Sequence, residues 1–230
     1  MKHLFLSLFA IFGFASAVAN EVRILAWDDS VAARPLAWVQ AEKQIEISGL
    51  HPLRRSKSYT LTGSDAPVVI RALDRMQGDE KTAAELRCTV DPSFRRPLLI
   101  LLPDPVASSG LRGLVIEDDI SSFGWGDIRF VNASGQDVVV QVERKAARVP
   151  AGWKPVDIRP GGLSRNVGIR IAFAGTIETP AYTSVWDHRD DARSLIFVLS
   201  GGGGRLGSLV VKAIPELKGV EGDTSVTKVE

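Results

Sequence analysis

The sequence predicts an all-β protein made of two β-sandwich-like domains in tandem. Three observations carry this. Short runs rich in Val, Ile, Leu and Phe recur along the chain with turn residues between them. Several runs alternate strictly, as in Val138 to Glu143 and Gly168 to Phe173, the pattern of a strand with one buried face. Helical periodicity is weak, and Asp79 to Leu86 offers one or two turns at most.

Taken in order, residues 1–19 read as a secretory signal peptide. Lys2 supplies the positive end, Leu4 to Phe14 an apolar run, and Ala15-Ser16-Ala17 or Ala17-Val18-Ala19 a small-x-small cleavage site. The run is shorter than the roughly 20 residues that a spanning helix needs, so the mature chain is not expected to span a membrane. The first β domain is placed at 20–103, with strands at V-R-I-L-A-W, Q-I-E-I-S, S-Y-T-L-T, P-V-V-I-R-A-L, L-R-C-T-V and P-L-L-I-L-L. Its single cysteine, Cys88, sits in an alternating stretch and reads as a buried strand residue, since no partnered histidine motif surrounds it. Residues 104–110, beginning Asp104-Pro105 and ending Ser108-Ser109-Gly110, read as a linker.

The second β-sandwich domain is placed at 111–217. Its strands are L-V-I-E, D-I-R-F-V, V-V-V-Q-V, V-G-I-R-I-A-F, S-L-I-F-V-L and S-L-V-V-K-A-I, and 218–230 form a polar flexible tail. Asn132-Ala133-Ser134-Gly135-Gln136, Arg159-Pro160-Gly161-Gly162 and Gly201 to Gly204 supply turns. Asn132-Ala133-Ser134 matches a glycosylation sequon, for which the turn reading suffices.

Charge narrows the partners. Without residues 1–19 the loss of Lys2 brings 28 basic side chains down to the 27 of the acidic ones. A neutral chain with no basic stripe lacks the electrostatic footprint of a nucleic-acid binder.

Three stretches invite a chemical reading. Trp186 to Arg193, W-D-H-R-D-D-A-R, places His188 among Asp187, Asp190 and Asp191 between two strand-like flanks. A general base would need a nucleophile, and the chain has no Gly-x-Ser-x-Gly elbow. A transition-metal site would need several histidines, and the mature chain has only His51 and His188, in different domains. A polar hairpin tip is the favoured reading, with no metal and no cofactor expected. Gly202 to Ser208 imitates a phosphate loop in spacing, but Leu206 stands where its lysine belongs and a strand follows in place of a helix.

The third stretch, Glu117 to Asp127, joins an acidic cluster to two aromatics. Phe123 and Trp125 on a sandwich rim would stack on sugar rings, with Asp118 and Asp119 bonding hydroxyls and Trp153 as a further exposed aromatic. Core packing of Trp125 is the favoured reading, because aromatics are common in sandwich cores.

Trp125 to Ser134, Val149 to Val156, Lys212 to Glu216 and the Arg23 to Asp29 start together resemble a family of exported bacterial β-sandwich proteins to which no activity is assigned. The resemblance covers most of the mature chain. It implies export and an all-β fold and brings no catalytic residues. The functional expectation is therefore an exported, non-catalytic protein, located in the periplasm, at the cell surface or outside the cell. It binds an envelope or extracellular protein through sandwich edges or rim loops. A carbohydrate-binding module built on Phe123, Trp125 and Trp153 is the alternative, and a hydrolase built on His188 ranks behind both.

Overall fold

The computed structural model describes residues 20–40, 43–61, 63, 66–75, 84–202 and 208–219. Residues 1–19, where the signal peptide is expected, 76–83, 203–207, which hold most of the expected phosphate-loop mimic, and 220–230 fall outside them. Strands dominate the described secondary structure and are arranged as four four-stranded sheets.

The first lobe pairs two sheets. One runs β4 (Tyr59–Leu61), β1 (Asn20–Ala26), β7 (Pro97–Pro103), β8 (Leu111–Glu117). The other runs β3 (Lys43–Ile47), β2 (Leu36–Gln40), β5 (Val68–Ala72), β6 (Glu85–Cys88). Between β1 and β2 the chain makes one helical turn, α1 (Asp29–Ala32). Asp28 caps it by accepting from the Val31 N–H at 2.9 Å, as an N-cap aspartate does. The second lobe is built the same way, with β12 (Val156–Ile158), β9 (Ile128–Ala133), β15 (Ala192–Ser200) and β16 (Leu209–Leu217) facing β11 (Lys145–Val149), β10 (Val138–Val142), β13 (Arg165–Phe173) and β14 (Tyr182–His188). Each lobe is thus a two-sheet sandwich.

The alternation of side chains explains how the lobes are joined. On β7, Leu99 and Leu101 point into the first lobe's core, beside Trp38 stacked on Tyr59 at 5.4 Å. Leu98, Ile100 and Leu102 point the opposite way. There they meet Phe123, Val131, Leu195, Phe197 and Ile214 of the second lobe. On β15, Ile196 and Val198 serve the second lobe's own core while Leu195 and Phe197 fill this seam. The two inner sheets are therefore buried on both faces, and the sheets stack four deep. That is why β7 and β15 are nearly continuous apolar runs while β10 and β13 alternate. With ten buried side chains, each stabilising by roughly 1.5–3 kcal/mol against exposure, the seam is comparable to a domain core.

Two expectations about connections change. Residues 104–110 form the tight turn of a β7–β8 hairpin, in which Pro97 pairs with Glu117 and Pro103 with Leu111. The strand after the turn belongs to the first lobe's sheet, and the chain crosses into the second lobe between Glu117 and Ile128. The W-D-H-R-D-D-A-R stretch is not a hairpin tip, since β14 pairs with β13 and β15 pairs with β9 and β16. It is the arch that carries the chain from the outer sheet of the second lobe to the inner one.

Cys88 is buried and free, and desolvation pushes its thiol up to about 11. The neighbouring strand accommodates it through Gly113, where an added Cβ would lie 2.2 Å from the Cys88 Sγ and 2.9 Å from Leu99 Cδ1. β6 can lie against β8 because that position has no side chain.

Candidate functional site

The loop from Glu117 to Asp127 and the arch from Trp186 to Arg193 come together at one end of the seam. Gly126, at φ +82°, donates its N–H to the Ala192 carbonyl at 2.6 Å, and the Ser194 N–H reaches the Asp127 carbonyl at 3.0 Å. An L side chain at Gly126 would be strained by that φ.

Asp118 stands at the centre and is completely buried. Arg55 grips it with two bonds of 2.8 and 2.9 Å, and Arg23 adds a third of 2.5 Å. Arg23 and Arg193 also hold Glu216 at 2.5 and 2.6 Å. Arg193 donates to the carbonyls of Asp118 and Phe123, each at 2.9 Å. Three arginines thus share two carboxylates, drawn from β1, the segment before β4, the crossing loop, β15 and β16. Burial pushes the Asp118 carboxyl up, but Arg55, Arg193 and Arg23 together outweigh it and hold it below the ordinary carboxylate range. Glu216 is held low in the same way, burial being overcome chiefly by Arg55 and Arg23.

This geometry separates the five residues expected to bind a ligand. Phe123 is fully buried in the seam, its ring facing the Arg129 guanidinium at 4.5 Å and that of Arg193 at 5.0 Å. Asp118 has no solvent-facing surface either. Asp119 is half-buried and caps a turn, accepting from the Ser121 N–H at 2.9 Å. Trp125 is half-buried with Arg193 5.6 Å from its ring. Trp153 lies apart from these, edge-on to Trp27 at 5.6 Å and near Phe197 at 6.2 Å, with Arg112 at 5.4 Å from its ring. Its φ of +70° is unusual for a bulky residue and is held by contacts from both lobes. Phe123 and Asp118 fasten the lobes together, and the five residues do not form one displayed face.

His188 ends β14 in a buried position. Desolvation, reinforced by Arg165, lowers its pKa. Its aspartate neighbours turn to other partners, Asp190 accepting from the Ser164 hydroxyl at 2.6 Å and Asp191 from Arg189 at 2.7 Å. Among the described residues no group of three or more His, Cys, Asp or Glu side chains is placed to hold a metal ion. Asn132 of the sequon is buried, and its amide donates to the Gln136 and Val149 carbonyls at 2.8 and 2.9 Å. It stands near the end of β9, and its side chain ties that strand to the turn that follows and to β11.

What the fold does display is a strand edge. Strand β14 closes the outer sheet of the second lobe and pairs on one side only, residue for residue with β13 and without a bulge. Along it Thr183, Val185 and Asp187 face outward while Tyr182, Ser184 and Trp186 turn towards the core. The Val185 side chain is 67% exposed. Other edges carry the protections that discourage pairing. β4 and β12 have three residues each, β3 carries Lys43 and Glu46, and β16 carries Lys212 and Pro215. β11 carries Lys145 and Arg148, and β8 carries Arg112 and Glu117. β14 is seven residues long, with no proline and no lysine.

No family model matches the chain, and no curated protein does. Among solved structures, one similar chain is a "putative cell adhesion protein" from Bacteroides uniformis, 10% identical, with 86% of this chain and 96% of that one covered and a TM-score of 0.22. A likeness at that level says nothing about binding or chemistry. The described helices include none long and apolar enough to cross a membrane.

Proposed function

We propose that this is an exported, non-catalytic binding protein of the cell envelope or its surroundings, which takes up a strand of a protein partner along β14. The observation that carries the reading is the contrast between edges. β14 offers an unbroken row of backbone donors and acceptors, with an exposed valine at its middle, where the other long edges carry lysine, arginine or proline. Strand addition draws its affinity from such a row and its specificity from the alternate side chains. Export rests on the Lys2, Leu4 to Phe14 and Ala15 to Ala19 pattern. The lobe boundary in this reading lies in the crossing loop after Glu117. A glycan stacked on Phe123, Trp125 and Trp153 is not carried further, because Phe123 is enclosed in the seam.

The test is photo-crosslinking in the producing cells, with a photoreactive residue at Thr183 and a control at Val106, which is 93% exposed on the far hairpin turn. The expected result is one discrete protein adduct from position 183, absent from position 106 and lost when Val185→Lys is added. No adduct at 183, or the same adducts from both positions, contradicts the proposal.

A further inference from the structure

Resting on that docking reading, we infer that the strand which fits β14 is β14 of a second copy of this chain, paired antiparallel about a two-fold axis through Val185. The residue register of such a pair favours it. With Val185 opposite itself, Thr183 falls opposite Asp187, Ser184 opposite Trp186, and Tyr182 opposite His188. The outward valines, each left two-thirds exposed in the single copy, become a cross-strand apolar pair. No like charges face each other, which a self-complementary edge must achieve because every residue meets its mirror position.

Charge complementarity extends one strand further. Within one copy, Gln141, Arg170 and Thr183 form a lateral row across β10, β13 and β14. The pairing adds the second copy's Asp187 to the end of that row, next to Thr183 and one strand beyond Arg170. Strand spacing puts Arg170 and that aspartate about 10 Å apart at the backbone, a gap that an arginine and an aspartate leaning over a threonine can close. In the single copy both Arg170 and Asp187 are exposed, and among the described residues neither has an ion-pair partner. The two-fold makes the contact twice. The product is one continuous eight-stranded outer sheet, with the four-deep stack of each copy on the same side.

Sedimentation velocity of the purified protein over a concentration series tests this, using Val185→Lys and Val185→Glu. Position 185 is solvent-facing, so the single copy should fold unchanged with either substitution, checked by circular dichroism. Wild type is expected to dimerise. Each variant alone brings like charges together on the axis and weakens association roughly tenfold or more, while an equimolar mixture of the two restores a mixed dimer. A wild type that stays monomeric, a dimer indifferent to both variants, or a mixture that fails to re-associate overturns the inference. A monomeric wild type that still gives a Thr183 adduct to a different protein overturns self-pairing and leaves strand docking standing. Absence of both dimer and adduct removes the two together.

Discussion

Asp118 shows how a residue that looks functional in a sequence becomes structural in a fold. A buried carboxylate between Arg55, Arg23 and Arg193 has its desolvation offset only while all its partners are present. Asp118→Asn is therefore expected to destabilise the protein by about 3–5 kcal/mol near neutral pH, since it leaves buried arginines short of a counter-charge. The pH dependence has a definite sign. The folded-state pKa of Asp118 is depressed, as is that of Glu216, so their contribution is fully present above the ordinary carboxylate value and is lost as pH falls through the depressed one. Urea unfolding from neutral pH down into the acid range should show the gap between wild type and variant closing as the solution becomes acid. A gap of constant size would mean that the carboxylate charge is not what Asp118 supplies. The sequence pointed to Asp118 through its acidic neighbours but hid its partners. Arg23, Arg55, Arg193 and Glu216 come from segments far apart along the chain, and their convergence exists only in three dimensions. Arg23 and Arg193 did leave a trace, each being a lone cation at the start of an apolar strand.

At the scale of elements, local pattern was readable and pairing was not. The alternation in β10 and β13 announces one buried face, and the strands appear where it places them. The unbroken runs in β7 and β15 also announce strands, but their second buried face depends on a neighbouring lobe that no local pattern contains. Pro105, Ser108, Ser109 and Gly110 have the composition of a linker because a hairpin turn and a linker need the same residues: both must expose backbone and break strand conformation. The two are told apart by cutting the chain. A single nick at Val106, on the turn's exposed tip, should leave the two pieces associated in native buffer. β7 and β8 stay paired over seven residues, and β7 remains wedged between two cores. Size-exclusion chromatography of the nicked protein checks this, and separation of the pieces without denaturant would contradict the hairpin. The open edge of β14 was legible only as a sequence without lysine or proline, and it gains meaning from its place at the end of a sheet.

For the whole molecule, the consequence of a shared seam is that two sandwich lobes behave as one body. Lobes joined through a few polar contacts move and unfold separately by default. Here the seam carries large buried apolar side chains from both sides, and the ion cluster around Asp118 closes one end of it. In the proposed docking, a rigid stack gives the β14 edge a fixed platform, so that a partner strand would meet a pre-formed row of donors and acceptors and lose little ordering entropy. The unity of the stack is tested most directly by hydrogen exchange of the intact protein, followed segment by segment. Residues 97–103 of the first lobe and 192–200 of the second should be the slowest to exchange, and both should open with the same free energy, that of global unfolding. If 97–103 opens at a clearly lower free energy than 192–200, or the reverse, the lobes unfold independently and the seam does not unite them.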